Sequence, residues 1–514
     1  MSSHIAKGFA IAFNFSNLGG VAFGVFLGIV LGAIPGLTGT MAIALLIPLT
    51  YYMDPVLSIS LLIGCYKGSV YGGSMSAILL NTPGTPEAAA TAFDGYPLTL
   101  QGKAKKALTT ALTASVIGDS FSDLVLFFSA MPIALIALKI GPPEYSMLVL
   151  FSLTIVASLA GSSSLLKGMI AAFSGILVST VGLDPITTSR RFTFGLVDLD
   201  RGIKLLPLLI GLLALSEIFL QIEQGFKRER ENMGKVPTVE DQGEGLTKRE
   251  LVTLLPTIFR SASIGTILGA IPGIGSITAA FLGYDQAKRS SKHPEMFGKG
   301  SLEGVAAPEA ANNAVCGANL IPVVTLGIPG SLSAAVLMGA FMVHGLMPGP
   351  MLMQEHPSTL YALFILMLMA NAIMYVIARP ILKVALHIIS IDKAKLFPPI
   401  LIFCGIGAYG SDLSFFDMKI MFIFALVGYV MKKVDLSPAI FLISFILGPL
   451  LENSIRQSLI ISGGDFTIFF TRPISLALFL LSLASIVWSL KKLSLIHISE
   501  PTRPLYISYA VFCL

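Results

Sequence analysis

The sequence predicts an all-α polytopic membrane protein with two inverted-topology repeats and broken, re-entrant helical hairpins. Three observations support this fold class. The chain is 54% hydrophobic and only 12% charged over 514 residues, whereas soluble globular proteins carry about 25% charged residues. Continuous apolar runs of membrane-spanning length recur along the chain, which indicates about twelve helical membrane segments rather than the alternating strands of a barrel. Finally, one hexapeptide occurs once in each half.

The hexapeptide Leu-Gly-Ala-Ile-Pro-Gly occupies residues 31–36 and recurs letter for letter at residues 268–273, an offset of 237 (272 − 35). Its proline removes a backbone donor and clashes with the preceding turn, and its glycine lets the chain leave helical geometry. In lipid, such a break is tolerated only where protein buries it or a wet cavity adjoins it. Breaks at matching positions of two half-chains indicate the central site of a transporter.

Each half carries a second break, Asn-Thr-Pro-Gly-Thr at residues 81–85 and Ile-Pro-Gly-Ser at residues 328–331. If the halves pack about a two-fold axis, all four breaks converge. Helix N-termini there attract an anion, while freed carbonyls and hydroxyls, including that of Thr40, can bind a small cation. The alternative is a purely structural role, in which proline and glycine only kink helices or permit close packing. The candidate substrate- or ion-binding residues are Pro35, Gly36, Thr38, Lys67, Asn81, Thr82, Pro83, Gly84, Thr85, Pro272, Gly273, Asn312, Asn313, Thr325, Gly327, Pro329, Gly330 and Ser331.

Two kinds of polar residue in this set leave alternatives open. Lys67 lies within an apolar span, and an intramembrane lysine is a functional hypothesis by default. It can pair with a substrate carboxylate or with Glu87, or it can snorkel to a nearby interface. Asn81, Asn312 and Asn313 can contact a ligand, or they can hold helices together through hydrogen bonds.

Acidic residues outside the breaks are also open to two interpretations. Asp119 and Asp123 are four residues apart, so they share one helix face. They can form a proton relay, although a helix end near the interface is the favoured interpretation. Glu303 and Glu309 flank Pro308 close to a basic loop. We expect them to act as gating or ion-pairing groups at the cytoplasmic mouth.

Loop charges predict the orientation of the halves, because lysine and arginine mark the cytoplasmic side. In the first half, the loop 51–56 after the Pro-Gly break has no basic residue, whereas the loop after the second break has three. In the second half this order is reversed. Equivalent loops therefore face opposite sides, although so few charges can also arise by chance. The predicted organisation is a first membrane repeat at 1–222, a cytoplasmic linker at 223–250, and a second membrane repeat at 251–492.

The sequence offers no catalytic machinery. It contains no Walker loop, no His-Glu-x-x-His motif, no Ser-His-Asp set and no Cys-x-x-Cys pair. We therefore expect no enzyme, no cofactor and no metal centre. The net charge of +5 is small for a nucleic-acid surface, so no nucleic-acid partner is expected. The four cysteines lie in apolar sequence without metal-ligand spacing, which is typical of inert packing residues.

Several long motifs carry a resemblance to a known family. They include Tyr71-Gly72-Gly73-Ser74, the break at 81–84, Asp94-Gly95-Tyr96-Pro97, Arg191-Phe192-Thr193-Phe194-Gly195, the run 303–313, the break at 325–331, Gly448-Pro449-Leu450-Leu451-Glu452 and Ser462-Gly463-Gly464-Asp465. In this order they resemble the large membrane subunit of tripartite tricarboxylate transporters, the TctA family. The similarity covers nearly all of residues 1–492. Position 67 departs from the family pattern, which carries an aromatic or small residue there.

The resemblance implies a large permease subunit in the bacterial inner membrane. It would work with a small four-helix membrane subunit and a periplasmic solute-binding protein that delivers an organic carboxylate, with citrate the eponymous substrate. An Na⁺ or H⁺ gradient would drive import. The alternatives are a gated anion channel on the same repeat fold and, in a third class, an intramembrane enzyme.

The C-terminal residues 493–514 differ in character from the rest. The segment follows Lys491-Lys492, a natural cytoplasmic end, and its residues 493–503 resemble a translated sequencing adapter. We expect this tail not to be native.

Overall fold

The structure is a computed structural model that describes residues 2–159, 165–224, 244–389, 393–410 and 413–499. It is mainly helical, in agreement with the predicted fold class. Most of the predicted linker 223–250, and the tail from residue 500 onward, lie outside the described residues. The helices of the first half are α1 Ser2–Ala12, α2 Phe15–Ala33, α3 Gly39–Thr50, α4 Pro55–Leu80, α5 Ala89–Leu100, α6 Ala104–Ala137, α7 Pro142–Leu159, α8 Leu165–Ser179, α9 Leu205–Leu209 and α10 Ser216–Gln224.

A π-helical stretch, Ile210–Leu215, joins α9 to α10, and a short 3₁₀ turn, Pro86–Ala88, precedes α5. Two further 3₁₀ turns lie at Val197–Arg201 and Pro294–Met296. The helices of the second half are α11 Lys248–Gly269, α12 Gly275–Ser290, α13 Leu302–Ala318, α14 Leu320–Leu326, α15 Leu332–Val343, α16 Leu352–Glu355, α17 Pro357–Leu382, α18 Ala385–Ile389, α19 Lys393–Gly410, α20 Phe415–Lys433, α21 Pro438–Ile461, α22 Ile468–Thr471 and α23 Pro473–Ser499.

Membrane-spanning helices are present by length and composition. Within the described residues, 6 helices are long and apolar enough to cross a bilayer. Further apolar helices are shorter, α3 and α15 among them, and these two follow the broken segments. The 6 spans are Phe15–Ala33, Ala104–Ala137, Leu205–Glu223, Lys248–Gly269, Pro357–Leu382 and Pro438–Ile461. The chain is thus a polytopic membrane protein, and the figure of about twelve segments stays a prediction.

Helices α4 and α13 occupy the interior of the fold. Nearly every residue of α4 is buried, and so is every residue of α13 from Gly304 to Ala318. A helix that is covered on all sides is surrounded by protein. For this reason polar side chains on these two helices meet other protein groups rather than lipid.

Backbone contact between helices holds this interior together. A Cβ added at Gly28 of α2 would lie 2.2 Å from the Cys65 carbonyl oxygen of α4. A Cβ added at Gly265 of α11 would lie 2.0 Å from the Ala311 carbonyl oxygen of α13. Only glycine permits such approach, as in small-residue helix packing in membranes. Gly28 and Gly265 lie three residues before the shared Leu-Gly of the two hexapeptides, so both copies use the same packing device.

A small antiparallel pair, Gly182–Leu183 with Arg190–Arg191, lies in the loop between α8 and α9. It is tied to α21 by ion pairs, Arg191 Nη1 to Glu452 Oε1 at 2.7 Å and Arg456 Nη2 to Asp184 Oδ2 at 2.8 Å. The Arg456 guanidinium and neighbouring backbone amides hold the pKa of the Asp184 carboxyl well below its usual range. Two distant motifs of the sequence, the one beginning at Arg191 and the one ending at Glu452, are thereby joined.

Candidate functional site

The two Pro-Gly breaks have the same backbone conformation. Helix α2 ends at Ala33 and α11 ends at Gly269. Beyond each helix end, the N–H of the hexapeptide isoleucine donates at 3.2 Å to the carbonyl of the hexapeptide leucine, three residues earlier. The glycine of each break has a positive φ, 87° at Gly36 and 89° at Gly273. A positive φ is strained for residues other than glycine. The repeated letters therefore specify a repeated break, and the predicted interruptions at residues 35 and 272 are present.

The second breaks are also equivalent in conformation. Helix α4 ends at Asn81 with φ 54°, and α14 ends at Gly327 with φ 68°, both in the left-handed region. Such a residue is a common helix terminator, most often glycine and sometimes asparagine. Asn81 itself is exposed, as is Thr82, while Gly327 is buried. Asn81 is therefore an exposed helix cap rather than a buried amide that holds helices together, and its contact with a ligand stays a prediction.

Within each half, the two breaks are in contact. A Cβ at Gly84 would lie 2.3 Å from the Gly32 carbonyl oxygen, and a Cβ at Gly330 would lie 2.9 Å from that of Gly269. In the second half the backbone N–H of Gly273 also donates to the Gly330 carbonyl at 2.9 Å. Each later break thus rests against the end of the helix that precedes the Pro-Gly pair.

Across the halves, the helices that follow two of the breaks meet at their N-termini. The Thr40 and Ser333 hydroxyl oxygens, in the first turns of α3 and α15, lie 2.7 Å apart. The two helices are capped in the same way, since the Thr38 hydroxyl accepts from the α3 backbone at 3.3 Å and the Ser331 hydroxyl accepts from the α15 backbone at 3.2 Å. We call these four hydroxyl residues, Thr38, Thr40, Ser331 and Ser333, the paired N-termini.

Two further side chains adjoin the paired N-termini. The Asn319 amide Nδ2 donates to the Ser331 hydroxyl at 2.9 Å and reaches the Tyr66 hydroxyl of α4 at 3.4 Å. Its Oδ1 is buried and has no hydrogen-bond partner among the described residues. Sequence reasoning missed Tyr66, Asn319 and Ser333. Asn319 could have been found as an amide in an otherwise apolar stretch, but nothing in the letters places Ser333 against Thr40.

The chemistry offered here suits an anion. Two helix N-termini from different parts of the chain converge, and each carries a partial positive charge and unpaired backbone donors. Hydroxyls and an amide add further donors. Among the described residues, no group of three or more histidine, cysteine or acidic side chains could hold a metal ion. A carboxylate fits this environment, because oxygen anions are stabilised at helix N-termini.

Lys67 belongs to a buried charged cluster. Its ammonium contacts Asp119 Oδ2 at 2.8 Å, Asp123 Oδ2 at 2.6 Å and Asn371 Oδ1 at 3.4 Å. All of these groups are almost completely buried. Lys67 therefore neither snorkels nor pairs with Glu87. The favoured interpretation of Asp119 and Asp123 as a helix end is also wrong, because both lie mid-way along α6 against α4 and α17.

Glu309 is a second buried acid with different surroundings. Its carboxylate accepts hydrogen bonds from the hydroxyls of Ser74, Thr91 and Ser115, the last at 2.8 Å. Its side chain is fully buried. Glu303, two turns earlier on α13, is half-buried and accepts from Thr257 at 3.0 Å and from Ser291. The prediction that both acids line a mouth is therefore wrong for Glu309, because α13 is covered by protein at that level.

The amides beside Glu309 are buried as well. Asn313 Nδ2 donates to the Ser115 hydroxyl at 2.9 Å and to the Glu309 backbone carbonyl at 3.0 Å. The side chain of Asn312 is buried, with 1% exposure, yet it makes no hydrogen bond with any described residue. Hydrogen bonding between helices therefore accounts for the buried amide of Asn313, but not for the buried amide of Asn312.

The remaining candidates are placed as follows. Thr325 is buried and its hydroxyl bonds the Ile321 carbonyl of its own helix at 2.7 Å. Thr85 packs over Gly73, where an added Cβ would lie 2.5 Å from its hydroxyl oxygen. The break prolines Pro35, Pro83 and Pro272 are half-buried, and Pro329 is buried.

Comparison with known proteins agrees with the motifs. Residues 18–443 match the tripartite tricarboxylate transporter TctA family. A protein of Agrobacterium vitis, named "Uncharacterized 52.8 kDa protein in TAR-I ttuC' 3'region", is 36% identical over 488 residues, which cover 95% of this chain and 96% of that protein. A second, named "Uncharacterized protein in TAR-II ttuC' 3'region" from the same organism, is 38% identical over 226 residues, or 44% of this chain and 93% of that protein. No solved structure matches. The family match spans most of the chain, and we conclude that this protein belongs to the TctA family of tripartite tricarboxylate transporters.

Proposed function

We propose that this chain is the large permease subunit of a secondary transporter that imports organic di- or tricarboxylates across the bacterial inner membrane. A periplasmic binding protein would deliver the substrate, a small four-helix membrane subunit would complete the assembly, and an Na⁺ or H⁺ gradient would supply the energy. Membership of the family supports the tripartite assembly and the substrate class. The observation that carries the proposal for this chain is the meeting of α3 and α15 at Thr40 and Ser333.

The paired N-termini would bind one carboxylate group of the substrate. Backbone N–H groups of the first turns and the hydroxyls of Thr40 and Ser333 supply donors, and the two helix ends supply partial positive charge. Asn319 and Tyr66 would orient the Ser331 hydroxyl through the hydrogen bonds described above. Lys67 is engaged by two aspartates, so recognition would not depend on its charge.

Alternating access would follow from the two halves. The equivalent breaks at residues 36 and 273, the equivalent caps at 81 and 327, and the matched glycine contacts at 28 and 265 support a repeat of 1–222 on 251–492. The loop charges support opposite orientations for the halves. In such an arrangement, rocking of one half against the other exposes a fixed midplane site to each side in turn.

Uptake in proteoliposomes tests the proposal. The chain, the small membrane subunit and the binding protein would be reconstituted with a panel of radiolabelled carboxylates and imposed Na⁺ or H⁺ gradients. We expect accumulation that needs both the binding protein and a gradient. Passage that is independent of both would instead indicate the gated anion channel.

A double variant links uptake to the paired N-termini. Thr40→Val with Ser333→Ala removes both hydroxyls, and each lost hydrogen bond to a charged group is worth about 1.5–3 kcal/mol. We expect KM to rise at least about tenfold. The matched control is Thr253→Val on α11, whose hydroxyl donates to the Arg249 carbonyl of its own helix and to no other described residue. Equal KM values for the double variant and the wild type would contradict the assigned site.

A further inference from the structure

Glu309 is a carboxylate without a cation. Three hydroxyls donate to it, from Ser74 on α4, Thr91 on α5 and Ser115 on α6. Among the described residues, no lysine, arginine or histidine forms an ion pair with it. An ionised carboxylate away from water is costly unless it is paired or neutralised. Uptake of one proton would remove this cost.

The neighbouring acid cluster differs in this respect. Asp119 and Asp123 share the ammonium of Lys67 at 2.8 and 2.6 Å, so one of their two negative charges is compensated by a cation. Asp94, which is also buried and has no ion pair among the described residues, accepts from the backbone N–H groups of Gly298, Gly300 and Ser301. Among the described residues, Glu309 has neither a cation nor backbone donors.

Unpartnered polar groups surround Glu309. The Tyr71 hydroxyl on α4 is fully buried and makes no hydrogen bond with the described residues, and the same holds for Asn312 and for Oδ1 of Asn313. Buried polar groups are normally hydrogen-bonded, and exceptions call for an explanation. A site that gains and loses a proton needs such spare donors and acceptors, because its hydrogen-bond pattern must change with its protonation state.

The titratable groups that face Glu309 are few. Tyr71 on α4 and Glu87 in the 3₁₀ turn before α5 interact with it electrostatically. Asp94 on α5 and Asp119 on α6 lie one turn beyond Thr91 and Ser115. The helices α11 and α12 meet α13 elsewhere, through Gly265 and Gly283 against Ala311. No cation is present in this set of described residues.

We propose that Glu309 carries the proton whose entry drives carboxylate uptake. The inference rests on the proposed transport function and names the coupling ion and its site. A proton from the outer aqueous phase would bind the carboxylate, forming one O–H bond, and would leave to the cytoplasm after reorientation. The three hydroxyls lie within hydrogen-bond distance of the carboxylate, so the proton would join an existing hydrogen-bonded set.

Protonation would also change how helices hold together. The ionised carboxylate of α13 accepts from three helices of the first half, α4, α5 and α6. The neutral acid has an O–H of its own to donate, so at least one of these hydroxyls must release its bond or reverse it. Because the contacts join the two halves, loading the proton would loosen the contact that must slide during transport.

Reconstituted wild type and Glu309→Gln, with both partner subunits, test the assignment. Glutamine resembles the protonated acid but cannot release a proton. We expect Glu309→Gln to retain carboxylate exchange without a gradient within about twofold, to lose proton-driven accumulation at least about tenfold, and to show no internal acidification with a trapped pH dye. The matched control is Glu355→Gln on α16, an exposed acid outside the proposed site, which should behave as wild type.

Other outcomes overturn the assignment. Accumulation with acidification by Glu309→Gln would refute it, and so would a wild type that accumulates with Na⁺ and without acidification. If the wild type exchanges no carboxylate, the proposed transport function fails and the assignment of Glu309 fails with it.

If Glu309→Gln does not fold, the variant Ser115→Ala tests the assignment instead. That variant keeps the acid but removes a donor to its ionised form, so the pH of half-maximal uptake should rise by about one to two units. An unchanged midpoint would refute the assignment.

Discussion

The central helices of the two halves, α4 and α13–α14, are alike in architecture and different in chemistry. Both are covered by protein. Both touch the helix before the Pro-Gly break of their half, α2 or α11, through glycine, and both are capped by a left-handed residue before a second Pro-Gly break. Lys67 and Asn313 occupy the same position relative to that residue (81 − 67 = 327 − 313). Yet α4 carries a lysine among acids, while α13 carries an acid among hydroxyls. The repeated architecture provides a scaffold, and unlike side chains on it provide the charges.

The largest effect is expected from Lys67. Lys67→Met leaves Asp119 and Asp123 buried without their cation, which should lower the free energy of unfolding by about 3–5 kcal/mol. Thermal unfolding in detergent measures the loss. The triple variant Lys67→Met, Asp119→Asn, Asp123→Asn should recover most of it, because no unpaired charge then remains. At the equivalent position, Asn313→Ala should cost only about 1–2 kcal/mol. A Lys67→Met protein as stable as wild type would show that the charged cluster is not held together by its lysine.

The glycine contacts should prove equivalent in the two halves. Gly28→Ala and Gly265→Ala each place a Cβ well inside van der Waals contact with a backbone carbonyl oxygen, at 2.2 and 2.0 Å, so each should destabilise the protein by about 1–3 kcal/mol. Gly19→Ala is the matched control, since a Cβ there meets nothing within 4 Å and alanine favours the helix. Thermal unfolding of the three variants tests this. A large difference in melting temperature between Gly28→Ala and Gly265→Ala would contradict the structural equivalence of the two halves.

The smallest effects are expected at the left-handed caps. Asn81→Gly removes the cost of placing a side chain at φ 54° and should stabilise by up to about 1 kcal/mol. Gly327→Asn introduces that cost at φ 68° and should destabilise by about 1 kcal/mol or more, because Gly327 is also buried against the Pro348 carbonyl oxygen. Melting temperatures of the two variants should move in opposite directions. Shifts of the same sign would show that the two caps are not equivalent.

The sequence by itself determined the class of the protein and the places where its helices break. Composition predicted a helical membrane protein, because a charge content of 12% excludes an ordinary soluble surface. Pro-Gly pairs predicted the ends of α2 and α11, because proline and glycine act locally through backbone sterics. The long ordered motifs predicted the family. Composition, Pro-Gly pairs and motifs depend only on residues that are neighbours in the chain, so they can be recognised without knowledge of the tertiary structure.

Tertiary structure alone decided which polar groups meet. Thr40 contacts Ser333, Lys67 contacts Asp119 and Asp123, and Glu309 accepts from three helices. None of these partners is adjacent in sequence, and the helical period shows only that residues share a face, not which helix that face touches. For that reason the alternatives that the sequence offered for Lys67 did not include Asp119 and Asp123, and Glu309 was expected at a mouth rather than in the interior. Pairing across helices depends on how the whole bundle packs, and that information is not local to any segment.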